Sequence, residues 1–117
     1  MSDSIHREDA AWLAGLLDGE GCFDNPRGNP RIRVKMSDLD VVLRAASIMD
    51  ATTFAEIDYR PNRKPLLVAQ TTGDNAIRVM RALLPWLGSR RSAKVTEIVT
   101  AHAAKKSGRI RLLRPAA

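Results

Sequence analysis

Residues 12–23 read WLAGLLDGEGCF, and their pattern decides how the rest of the chain is read. Leu13 and Leu17 fall on one side of a helix. Trp12, Gly15, Leu16 and Gly19 form a second stripe at i, i+3, i+4 and i+7. A small single domain has one core for a helix to face, so a second contact face calls for a partner. The stretch also ends in acids, Asp18 and Glu20, among glycines at 15, 19 and 21. Helix C-termini carry partial negative charge and favour cations, so two acids at that end need an explanation. Glycine inside a helix costs about 1 kcal/mol relative to alanine, so Gly15 and Gly19 need one too.

The helix that holds this stretch is expected from about Arg7 to Gly19, with Glu8 and Asp9 suiting its first turn. Asp24 to Pro30 is turn chemistry, with two prolines, a glycine and two asparagines. RIRVKM then alternates at period two, Ile32, Val34 and Met36 to one side and Arg31, Arg33 and Lys35 to the other. A second helix follows, capped by Ser37 or Asp38, with Leu39, Val42, Leu43, Ala46 and Met49 as its apolar stripe. Residues 52–72 read as two strands joined by a turn at Pro61–Pro65. Asp74 is expected to cap a third helix that turns Ile77, Met80, Leu83, Leu84 and Leu87 inward, with Pro85 bending or ending it. A last helix spans about Ser92 to Lys106, with Val95, Ile98, Val99 and His102 on its apolar face. His102 there reads as a partly buried spacer. Residues 107–117 are expected as a basic tail, flexible or laid along a phosphate backbone. The order predicts an α+β fold, αββαββα with an extra C-terminal helix and an antiparallel sheet packed on helices.

The chain has 117 residues, which suits one domain with its own core. One cysteine, Cys22, excludes an internal disulfide. No apolar run approaches the roughly 20 residues of a membrane span, and the polar N-terminus lacks a signal-peptide core. A soluble, cytoplasmic protein with no membrane partner is expected. Nineteen Lys and Arg against thirteen Asp and Glu give a net charge of +6 and a pI near 10.2, a footprint of polyanion binding. The Ala- and Arg-rich composition hints at a GC-rich bacterial or phage genome.

LAGLLDGEG, Leu13 to Gly21, resembles the motif of the LAGLIDADG homing endonucleases, with Leu for Ile, Gly for Ala and Glu for Asp. The element order also resembles that family. So does LLPWLGSRRSAK, Leu83 to Lys94, a Leu-x-Pro-aromatic-Leu segment followed by a basic run. The resemblance covers roughly residues 7–105. It implies a sheet that reads the DNA major groove, cleavage of both strands across the minor groove with 3′ overhangs, and metal held by the motif's last acid with the carbonyl of the glycine before it. Residue by residue, that means Glu20 and Gly19, with Mg²⁺ or Mn²⁺ as cofactor and Arg90 as the basic catalytic neighbour. Asp18 takes a structural role at the helix end.

The chain has a single motif copy, so a second copy of the chain is the expected partner. Trp12, Gly15, Leu16 and Gly19 would form the self-complementary patch of a two-fold dimer, Gly15 and Gly19 permitting close helix approach. The alternative for the glycines is that they sit against the protein's own sheet. Double-stranded DNA would meet Arg27, Arg31, Arg33, Lys35, Arg60, Arg63, Lys64, Gln70, Thr72 and Arg91. Glu56 and Asp58 fit that surface poorly; they face away or accept from cytosine amino groups. Two departures count against cleavage. Arg90 stands where lysine is common, and Met36 stands where a polar side chain often orders water. The expected activity is a homodimeric, metal-dependent double-strand DNA endonuclease. The alternative is a DNA-binding dimer or regulator of the same fold that has lost cleavage.

Overall fold

The computed structural model describes residues 5–57 and 59–113, with side chains through residue 108. Helix α1 spans Arg7–Glu20, β1 Gly21–Asp24, β2 Arg31–Met36, α2 Leu39–Met49, β3 Thr52–Glu56, β4 Leu66–Thr72, α3 Gly73–Leu83 and α4 Ser89–Leu113. Short 3₁₀ turns lie at Pro26–Gly28 and Leu84–Trp86. The four strands form one antiparallel sheet in the order β1-β2-β4-β3. Among the described residues, no helix is long and apolar enough to cross a membrane.

The helices cover one face of the sheet. Period-two alternation on β2 sends Ile32 and Val34 into the core, where they meet Ala10, Leu13, Ala14 and Leu17 of α1. Leu13 and Leu17 are fully buried, each contributing about 2 kcal/mol by removal from water. From α3, Ile77, Met80 and Leu83 complete the core, and Val95 and Ile98 do so from α4.

Several expectations are corrected. On α2, Leu39 and Leu43 are more than half exposed, and the buried stripe is Val42, Ala45, Ala46 and Met49. Alanine fits where α2 approaches the sheet closely, so the core face is turned away from the two leucines. Asp38 occupies the N-cap position of α2 without a side-chain cap bond. Asp74 is not the cap of α3. Thr72 holds that position, and Asp74 lies in the first turn, accepting from Lys106 Nζ at 2.9 Å and lying 3.0 Å from His102 Nε2. His102 is therefore a link between α4 and α3 as well as a spacer. Helix α4 begins at Ser89, three residues before the expected start, and runs on to Leu113. Residues 107–113, expected as tail, are thus helical, and residues 114–117 lie outside the described part.

Candidate nucleic-acid interface and acidic helix end

The WLAGLLDGEGCF stretch divides into residues used inside the chain and residues left outward. Gly21 belongs to the first group. It ends α1, and β1 starts at once. A Cβ there would come within 2.5 Å of Leu17 Cδ2 and 2.8 Å of Leu17 Cα, so only glycine admits this turn without displacing backbone. Asp18 is also used internally. Both its carboxylate oxygens accept from the Gly88 amide, at 3.0 and 3.2 Å. Gly88 immediately precedes α4, so a carboxylate from α1 satisfies an otherwise unpaired donor and faces the positive end of another helix dipole. The structural role expected for Asp18 is a cap, made across 70 positions of sequence rather than locally.

Gly15 and Gly19 are different. Both are exposed, and an added Cβ at either would meet nothing within 4 Å. The chain's own sheet does not lie against them. Trp12 and Leu16 flank them, half-buried at the edge of the core, and the Arg44 guanidinium of α2 stacks 4.0 Å from the centre of the Trp12 ring. The outward side of α1 is thus a backbone-level groove between two apolar side chains.

Glu20 closes α1 at the end of that groove. It is exposed, and among the described residues it has no hydrogen-bonding or ion-pair partner. No basic residue occupies the last turn. No group of three or more His, Cys, Asp or Glu side chains able to hold a metal occurs among the described residues. The Asp18–Gly88 bonds hold Gly88, the residue before α4, beside the last turn of α1, and Arg90 and Arg91 follow in the first turn of α4. Arg90 is exposed. Arg91 is half-buried, and its Nε is buried without a partner. Met36 is half-buried and packs against the core.

The sheet face opposite the helices carries five of the residues singled out from sequence. Arg31 lies directly across from Thr72 and Arg33 across from Gln70, and Lys35 follows on the same side of β2. The turn with exposed Arg27, whose φ is 54°, lies at one end of this face. Arg60, Arg63 and Lys64 lie in the β3–β4 connection at the other end. Arg90, Arg91 and the α1 residues are off the sheet.

The three β2 cations are not an unbroken basic row, as their alternation implied. Asp24, directly across from Arg31 on β1, accepts from Arg31 Nε at 2.8 Å and Nη2 at 2.5 Å. That two-pronged bond holds the Arg31 guanidinium even more firmly protonated than usual. Glu56, on β3, reaches over β4 to Arg33 Nη2 at 3.2 Å and Lys35 Nζ at 3.1 Å. It faces the same way as the cations and already has partners. Asp58 lies outside the described residues. Beneath the Glu56 bridge, Val68 is fully buried yet lies apart from the main core. Sequence reasoning missed these ion pairs because they depend on cross-strand register, which no single strand displays.

A four-stranded antiparallel sheet in this order, with all helices on one face and a glycine-bearing α1 ending in an acid, is the LAGLIDADG homing-endonuclease fold. Among solved structures the chain is similar to the homing endonuclease I-CvuI in complex with its target in the presence of calcium. That match has a TM-score of 0.61 and 19% identity, covering 80% of this chain and 65% of that one. It is also similar to I-CvuI bound to the I-CreI target with magnesium, where the DNA is not cleaved, with a TM-score of 0.59 and 16% identity over 81% of this chain and 68% of that one. The chain spans about 65% of the first neighbour's length. No profile of a known protein family matches the sequence, and no curated protein matches it significantly.

Proposed function

We propose that the chain is a metal-dependent double-strand DNA endonuclease of the LAGLIDADG homing type that acts as a homodimer. The observation that carries this reading is the outward side of α1. Gly15 and Gly19 are open there, beside an exposed acid that has no partner among the described residues, in a fold shared with an endonuclease solved on DNA.

Two α1 helices meeting at these glycines would bring two copies of Glu20 and two negative helix ends toward one axis. Like charges so placed repel unless a cation lies between them. Carboxylate and carbonyl oxygens suit a hard divalent ion, and the described residues of a single chain gather no group of three or more such side chains. Glu20 and the Gly19 carbonyl would therefore hold Mg²⁺ or Mn²⁺, each copy supplying part of the site. When bound, such an ion polarises the scissile phosphate and makes hydroxide available at neutral pH. Asp18 fixes the end of α1 against α4 and so positions Glu20. Arg90 would stabilise phosphate charge but would not donate a proton, because guanidinium stays protonated. The cationic sheet face, with Gln70 and Thr72 on β4 beside Arg33 and Arg31, would seat the duplex.

A second reading, a DNA-binding dimer without cleavage, is favoured by Met36, which is packed on the core and offers no water ligand, and by Arg90 itself. Incubation with supercoiled plasmid carrying flanking genomic DNA separates the two. Nicking or linearisation with Mg²⁺ or Mn²⁺, abolished by EDTA and by Glu20→Gln, supports the endonuclease. Salt-sensitive binding with no cutting in any metal supports the second reading.

A further inference from the structure

Among the described residues, Glu56 is the one acid on the open sheet face that engages two of its cations. It sits two strands away from Arg33 and Lys35, a lateral distance of roughly 10 Å at ordinary strand spacing. It pairs with Leu66, two residues along β4 from Val68 opposite Lys35 and four from Gln70 opposite Arg33, so both bonds run diagonally across the sheet. The intervening strand presents Val68, fully buried between Lys35 on one side and Phe54 on the other. The Arg33 guanidinium also stands 6.0 Å from the centre of the Phe54 ring, and its Nε is buried without a partner. Arg33 is therefore held in place, while Glu56 engages only its Nη2 and leaves the Nη1 donors unused.

We propose that Glu56 is the specificity-determining residue of this sheet. It clamps Arg33 and Lys35 so that they are withheld from DNA phosphates and presented to base edges. The proposal rests on the sheet's binding duplex DNA.

Two cations and one carboxylate leave the clamp with a net charge of +1, where Arg33 and Lys35 alone would carry +2. A phosphate would have to compete with the carboxylate for the same donors. A guanine edge presents neutral acceptors and can use the donors that Glu56 leaves over. Sequence-independent affinity comes from phosphate neutralisation, and sequence is read from base edges. A fixed guanidinium also loses less freedom on forming a base contact. The clamp lowers the first kind of binding and favours the second.

The test is Glu56→Gln, close in shape on a side chain 42% exposed, with Glu56→Ala beside it to separate loss of charge from gain of an amide. Binding to random-sequence duplex is measured against salt, together with retention on heparin. Release of one or two cations to phosphates should steepen the log–log salt slope by about 0.9 to 1.8. Between 200 and 50 mM salt that is an extra gain of roughly 3.5-fold per phosphate. Both variants should show the steeper slope and later elution from heparin. An unchanged or shallower slope, with unchanged elution, overturns the clamp. If no form of the protein binds duplex DNA but both variants elute from heparin later than Glu97→Gln, an equal change of charge on exposed α4, the clamp stands and the endonuclease reading fails; elution no later than that of Glu97→Gln overturns the clamp.

Discussion

Replacing Gly15 with leucine should act in opposite directions on the single chain and on the pair. In the single chain, position 15 is an exposed helix interior, and an added side chain meets nothing within 4 Å. Leucine is close to alanine in helix propensity, so Gly15→Leu should stabilise the monomer by about 0.8 kcal/mol. In a domain of this size that raises the Tm by about 3 °C. In the proposed dimer the same side chain would stand between two helices packed at backbone distance. Overpacking costs about 1–3 kcal/mol per site, and two-fold symmetry imposes it twice. The dimer should then weaken by at least about 2 kcal/mol, roughly a 30-fold rise in Kd. Sedimentation equilibrium over a concentration series reads the second effect. Thermal unfolding at concentrations where both forms are monomeric reads the first, because association itself raises Tm. Unchanged association of Gly15→Leu would refute helix pairing at this face. A destabilised monomer would refute the openness of the groove.

Other substitutions test the supporting geometry. Gly21→Ala forces a Cβ into Leu17 backbone and side chain and should cost about 1–3 kcal/mol in urea unfolding. Asp18→Ala removes the acceptor for the Gly88 amide and should cost about 1 kcal/mol, as loss of a helix cap does; amide exchange at the start of α4 should rise. Lys106 and then His102 hold the Asp74 carboxyl below the usual aspartate range. Its contribution is therefore complete above the unfolded-state pKa and is lost as pH falls through the lower folded value. Acid unfolding curves of wild type and Asp74→Asn should converge at the acid end and separate as pH rises past the ordinary aspartate range, with wild type the more stable. Curves that stay parallel across that window would contradict the link.

The residues that were legible in the sequence are those whose partners lie close along the chain. The i, i+3, i+4 spacing of α1 and the alternation of RIRVKM placed Leu13, Leu17, Ile32 and Val34 in the core, where they are. Leu39 and Leu43 misled because leucine at helical spacing looks like a core stripe; Ala45 and Ala46 take that place where backbone approach matters more than side-chain bulk. Asp74 looked like a cap because it precedes an apolar helix, but its carboxylate is engaged by α4 from 28 residues away. Glu56 was harder still, since its face and its partners both follow from pairing across β4. In the opening stretch, local pattern identified the glycines and acids as unusual. Only the fold could divide them into Asp18 and Gly21, which serve the chain itself, and Gly15, Gly19 and Glu20, which remain open.

The joint role of the open glycines and the terminal acid is tested most directly by Mn²⁺ binding, followed by paramagnetic resonance, in wild type, Glu20→Gln and Gly15→Leu. The proposed site needs Glu20 from two paired copies. Wild type should therefore bind Mn²⁺ at concentrations where it is dimeric, and both variants should lose that binding, Gly15→Leu despite its intact Glu20. A Gly15→Leu monomer that binds Mn²⁺ as wild type does would contradict the account.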